Sequence, residues 1–118
     1  MSLNRVFLIG RLGHDPELEF VGENRSPHLQ LRLATERWRG EEQGTVTEWI
    51  PVQVWGKLAE TCARNLAKGQ RVCVEGRLQN STWEAEGGGK HSRLEVIATR
   101  VVFLDRPGTA AAGEEEEA

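Results

Sequence analysis

Between His28 and Glu36 two kinds of side chain alternate: Leu29, Leu31 and Leu33 fall in one phase, and Gln30, Arg32, Ala34 and Glu36 in the other. Successive side chains of a strand point to opposite faces, so this pattern requires a strand with one side on a core and the other toward water. The pattern recurs over Glu48 to Gly56, where Ile50, Val52 and Val54 oppose Trp49, Pro51, Gln53 and Trp55. It recurs again over Arg71 to Asn80, with Val72, Val74 and Leu78 predicted inward and Cys73, Glu75, Arg77 and Gln79 outward. If the third strand continues without a bulge, Trp83 keeps the outward phase.

Arg5 to Leu12 is β-branched and apolar with little alternation and ends at Gly13, which predicts a strand covered on both faces. His14-Asp15-Pro16 predicts a turn, Glu17 to Val21 a short extension, and Gly22-Glu23-Asn24 a second turn. The hydrophilic stretch Arg39 to Thr47, with two glycines, predicts a mobile hairpin loop. Lys57 to Leu66 changes to helical spacing, with Leu58, Cys62 and Leu66 four apart, supported by Ala59 and Ala63, and Gly69 as its end. Gly87-Gly88-Gly89 predicts a hairpin tip and Arg93 to Leu104 a last strand. Three strands, one short helix and two strands is the order of the five-stranded Greek-key barrel called the OB-fold. The chain is therefore expected to be all-β, with that barrel over residues 1–106 and a disordered acidic tail over 107–118, which has no apolar periodicity.

Two cysteines, Cys62 and Cys73, form no CxxC pair and no histidine–cysteine cluster has zinc spacing, so neither a disulfide framework nor a metal is expected. The apolar run Val6 to Ile9 is too short for a signal segment or a membrane span, and a cytoplasmic location follows as the expectation. The formal charge is -3, with 18 acidic and 15 basic residues. Four of the acids are Glu114 to Glu117; without them 14 acidic residues face 15 basic ones, so attraction for phosphate has to come from local clustering.

Four tryptophans, three phenylalanines and no tyrosine make indole the dominant ring. Tryptophan is usually a core anchor, yet Trp38, Trp49, Trp55 and Trp83 all fall in the outward phase or at strand ends. Outward indoles suit unpaired bases, because every base has a π-face and stacking contributes about 1–3 kcal/mol per base without demanding a sequence. Arg37 and Arg39 flank Trp38, Lys57 follows Trp55, and Arg77 shares the outward phase, which makes them candidates for the phosphates. An indole buried against a second subunit, and an adaptor that uses the same surface for protein contacts, are the competing readings. Catalysis finds no support: His14, His28 and His91 lie near loops or strand ends, without an HExxH or a glycine-rich phosphate loop, and no cofactor is expected.

Several segments together resemble one family: Asn4-Arg5-Val6, Gly10-Arg11-Leu12-Gly13 with Asp15-Pro16-Glu17, Leu33-Ala34-Thr35 with Trp38, Thr47-Glu48-Trp49, Trp55-Gly56-Lys57-Leu58-Ala59-Glu60, and Lys68-Gly69 leading to Val74-Glu75-Gly76. In order and spacing they are similar to the bacterial single-stranded DNA-binding proteins over about residues 3 to 106. The resemblance implies an OB-fold, usually a homotetramer, that coats and protects single-stranded DNA in replication, recombination and repair, non-enzymatic and nucleoid-associated. It implies base stacking on Trp38, Trp49, Trp55 and Trp83, and basic positions at Arg5, Lys57 and Lys68. The chain departs from the family where Gln79-Asn80-Ser81-Thr82 replace a basic cluster before Trp83, and where Ile50 replaces an interface histidine. It also departs at Glu114 to Glu117, which are acidic but lack the hydrophobic Ile-Pro-Phe tip through which the family docks replication and repair proteins.

Overall fold

A computed structural model describes residues 1–105 and the backbone of 115–117. Five long strands carry the fold: β1 (Val6–Leu12), β3 (Ser26–Trp38), β4 (Thr45–Trp55), β5 (Arg71–Glu84) and β6 (Lys90–Phe103). β2 (Glu19–Val21) is a short antiparallel partner of β3, and the helix α1 (Lys57–Asn65) joins β4 to β5. The neighbours run β1-β5-β6-β4-β3, and β3 returns to β1 through Arg11↔Ala34 and Leu12↔Leu33, which closes the five strands into an OB-type barrel. All long pairings are antiparallel except β4 with β6, which meet in parallel at Val52↔Val96 and Gln53↔Ile97. Of the tail expected over 107–118, residues 107–114 and 118 lie outside the described residues, and Glu115–Glu117 form β7, antiparallel to β6.

The inward phase fills the barrel: Leu29, Leu31 and Leu33 of β3, Val52 and Val54 of β4, and Val72 and Val74 of β5 are fully or almost fully buried. α1 plugs one end with Leu58, Ala59 and Cys62. The helix stops at Asn65, before the predicted end: Leu66 is already extended, and Gly69, at φ 90°, makes the turn that hands its N–H to the carbonyl of Leu12. Cys62 is buried in the core and Cys73 is half-buried.

Closure brings backbones too near for side chains at two glycines. A Cβ on Gly10 would stand 2.6 Å from the carbonyl oxygen of Ala34, where β1 crosses β3. A Cβ on Gly76 would collide with the carbonyl of Ile97. Gly76 adjoins a bulge in which Glu75 pairs with Arg100 and Gly76 with Ala98, leaving Thr99 unpaired in the ladder; its hydroxyl donates instead to the Glu75 carbonyl.

Two expectations require correction. β1 is not covered on both faces: its pattern alternates, with Gly10 and Leu12 buried but Phe7 and Ile9 left 66% and 60% exposed. No other described element packs over that outer face, so apolar residues stand in both phases while only one phase has cover. Leu78 is in the inward phase as expected but is 41% exposed. Beyond it the β5–β6 ribbon leaves the barrel and, among the described residues, pairs only with itself, out to Glu84↔Lys90. Asn4 marks the departure, its amide holding both the carbonyl and the N–H of Leu78.

Candidate nucleic-acid interface

Register turns strand phase into a surface. On β3 the outward residues are His28, Gln30, Arg32, Ala34, Glu36 and Trp38, and their partners across the β4 ladder are Trp55, Gln53, Pro51, Trp49, Thr47 and Thr45. Trp38, Trp49 and Trp55 thus share one face, with Trp49 and Trp55 six residue steps, about 20 Å of strand, apart. The parallel contact of Gln53 with Ile97 extends this face onto β6, and the β5–β6 ladder carries it to Arg77, Gln79, Ser81 and Trp83, opposite Ile97, Glu95, Arg93 and His91. All four tryptophans are exposed and belong to one continuous wall running β3-β4-β6-β5.

Each indole is seated differently. Trp49 lies against Gly13, where a Cβ would collide with the six-membered ring. Trp55 packs on the ring of His28, centroids 4.2 Å apart and tilted by 45°. Trp83 stacks on His91 at 5.9 Å and has the Arg93 guanidinium over its ring at 5.9 Å. Trp38 stands at the end of β3, just before the 39–44 turn closed by Arg39 N–H to Gly44 and Gly44 N–H to Gly40.

The basic candidates divide. Arg77 is on the wall, with its guanidinium on Gln79 at 2.7 Å. Lys57 is exposed at the start of α1, two residues after Trp55, and Arg39 is exposed beside Trp38. Lys68 reaches the wall through a hollow of about 590 Å³ that it shares with His28 and Gln30 and with Asp15, Glu17 and Glu19. Arg37 is in the opposite phase from Trp38 and holds Glu48 through Nε at 3.2 Å and Nη2 at 3.1 Å. Arg5 is paired with Glu75 at 3.1 Å. The Arg37–Glu48 pair is exposed on both sides and so weak and exchangeable, whereas Glu75 is mostly covered and also faces Arg100 at 3.9 Å.

Sequence reasoning missed several wall residues. Arg32 and Arg93 are basic and outward but adjoin no tryptophan in sequence; they reach the wall through pairing with Pro51 and Ser81. His28, Gln53 and Glu95 meet only because β3, β4 and β6 lie side by side, a proximity no spacing in the chain encodes.

The sequence pattern of the single-strand binding protein family matches residues 3–104, almost the whole of the described barrel. The chain belongs to that family. A single-stranded DNA-binding protein from Caldanaerobacter subterraneus is 40% identical over 119 residues, covering 98% of this chain and 79% of the relative. One from Aquifex aeolicus is 39% identical, covering 98% and 80%. Among solved structures, the Plasmodium falciparum family member in complex with single-stranded DNA superposes with a TM-score of 0.79 at 26% identity, over 89% of this chain and 97% of that one. Family membership and barrel topology therefore agree, and no helix among the described residues is long and apolar enough to cross a membrane.

Proposed function

We propose that this protein binds single-stranded DNA without sequence preference and protects it during replication, recombination and repair, as a non-enzymatic coat. What carries the reading is the gathering of Trp38, Trp49, Trp55 and Trp83 on one continuous outer wall of the barrel. Large exposed indoles cost the free protein solvation of apolar surface, and a partner with π-faces at every residue recovers it. Arg39, Lys57, Lys68 and Arg77 hold the phosphates, joined by Arg5 and Arg37 when these exchange a carboxylate for a phosphate. The names of the relatives and the bound strand in the Plasmodium complex support the same reading.

The exposed Phe7 and Ile9 on β1 support assembly with further copies of the chain, and a homotetramer of the family's usual kind is the proposed state. A cytoplasmic, nucleoid-associated location accompanies the function; replication and repair proteins are partners by family analogy alone, since Glu114 to Glu117 lack the family's hydrophobic tip.

The test is a titration of intrinsic tryptophan fluorescence with oligo-dT of increasing length at low and high salt, with the mass of the assembly measured on the same sample. Strong quenching that saturates at a defined length is expected. A folded protein whose emission does not respond overturns the proposal in favour of a protein-contact role for the wall.

A further inference from the structure

Four side chains form an unbroken path between Trp55 and Trp83, whose strands β4 and β5 are not neighbours. The His28 ring packs on Trp55, holds Glu19 through Nδ1 at 2.8 Å, and holds Gln53 Oε1 through Nε2 at 2.6 Å. The Gln53 amide nitrogen donates to Gln30 Oε1 and to Glu95 Oε2, each at 3.1 Å. Arg93 stands 3.7 Å from the same Glu95 oxygen and places its guanidinium over Trp83.

Outward residues on an open wall are normally solvated, yet Gln53 and Glu95 are each only 8% exposed. Gln53 has one carbonyl acceptor and two amide donors, and all three are engaged inside the protein. With a proton on His28 Nε2 this orientation of the amide satisfies all of its partners, and rotating it would set its oxygen against the Glu95 carboxylate, away from water, where unmade hydrogen bonds are costly. A side chain fixed this way transmits position: the His28 ring sets the tilt of Trp55, while Glu95 anchors the arginine that covers Trp83.

We propose that Gln53 is a positioning residue that couples the Trp55 and Trp83 platforms, so that a strand seated on one finds the other already oriented. The inference rests on the reading of these indoles as base platforms, and the experiment separates the two. In the free full-length protein, Gln53→Met, similar in volume but without the amide, is expected to move the indole N–H resonances of both Trp55 and Trp83 while leaving those of Trp38 and Trp49 in place. Binding of oligo-dT by Gln53→Met is expected to fall by roughly two- to tenfold in the wild-type background and much less in Trp83→Ala, the non-additivity of groups that act through one another. His28→Phe, which keeps a ring on Trp55 but breaks the link to Gln53, should reproduce the displaced Trp83 resonance. Unmoved indoles in either folded variant, or the same drop in affinity in both backgrounds, overturn the coupling. A wild-type titration without quenching overturns the platform reading itself, and is visible before any variant is made.

Discussion

The indole of Trp49 rests on Gly13, and a single added methyl group there would stand 3.0 Å from Cη2 and 3.3 Å from Cε3, closer still to Cζ3. Gly13 has no backbone conformation that forbids alanine, so the glycine serves its neighbour rather than its own turn. Gly13→Ala should therefore move the ring and spare the barrel: a urea midpoint close to wild type, with altered emission from Trp49. The drop in oligo-dT affinity should stay within what one stacked base supplies, about 1–3 kcal/mol.

Trp49→Ala and Trp55→Ala should each weaken oligo-dT binding by about 1–3 kcal/mol with the fold retained, because both rings lie outside the core cluster. Titration beside urea unfolding checks this; a variant with undiminished affinity removes that ring from the site.

Gly76→Ala should behave in the opposite way. The colliding atom is a backbone carbonyl of β6, which cannot swing aside as a ring can, and the site is next to the bulge that shapes the ladder. Destabilisation of about 1–3 kcal/mol is expected, read from the denaturant midpoint.

The arginines give a contrast within one chain. Arg77→Ala, on the wall, should flatten the dependence of log affinity on log salt by about 0.7, the share of a single phosphate that the variant no longer neutralises. Arg37→Ala, in the opposite phase and tied to Glu48, should change the slope less. Equal changes for the two would show that side of the barrel to be immaterial.

Phe7→Glu is expected to lower the mass of the assembly in sedimentation without unfolding the chain, since the side chain is two-thirds exposed in the single copy. A variant of unchanged mass rules out the outer face of β1 as the contact between copies.

Much of this molecule is legible in its sequence, and the boundary of legibility has a physical meaning. Alternation fixes the side of the sheet on which a residue lies, so Leu29, Leu31, Leu33, Val52 and Val54 are assignable to the core and Trp49 and Trp55 to the outside. Alternation does not report cover. Phe7 and Ile9 look buried because apolar residues occupy both phases of β1, and Leu78 looks buried because nothing in β5 marks where the barrel ends. Conversely Gln53 reads as an exposed polar residue and is nearly enclosed, because Gln30 and Glu95 arrive from strands on either side. The outward placement of the four indoles is legible from phase, whereas the residues that seat them, Gly13, His28 and Arg93, depend on register across the sheet, which the chain does not spell out.

The β5–β6 ribbon outlasts the barrel that carries it. From Asn80↔Leu94 to Glu84↔Lys90 its two strands pair with each other and, among the described residues, with no third. Trp49 and Trp55 are mounted on the closed ring of strands, while Trp83 rides on a two-stranded finger able to fray alone. Trp38 rides on a second such finger, where residues 35–38 pair only with 45–48 among the described residues, so the wall has a firm middle and two yielding ends. On the proposed reading of the indoles as base platforms, a bound strand is expected to loosen first at the two fingers and to hold longest over Trp49 and Trp55.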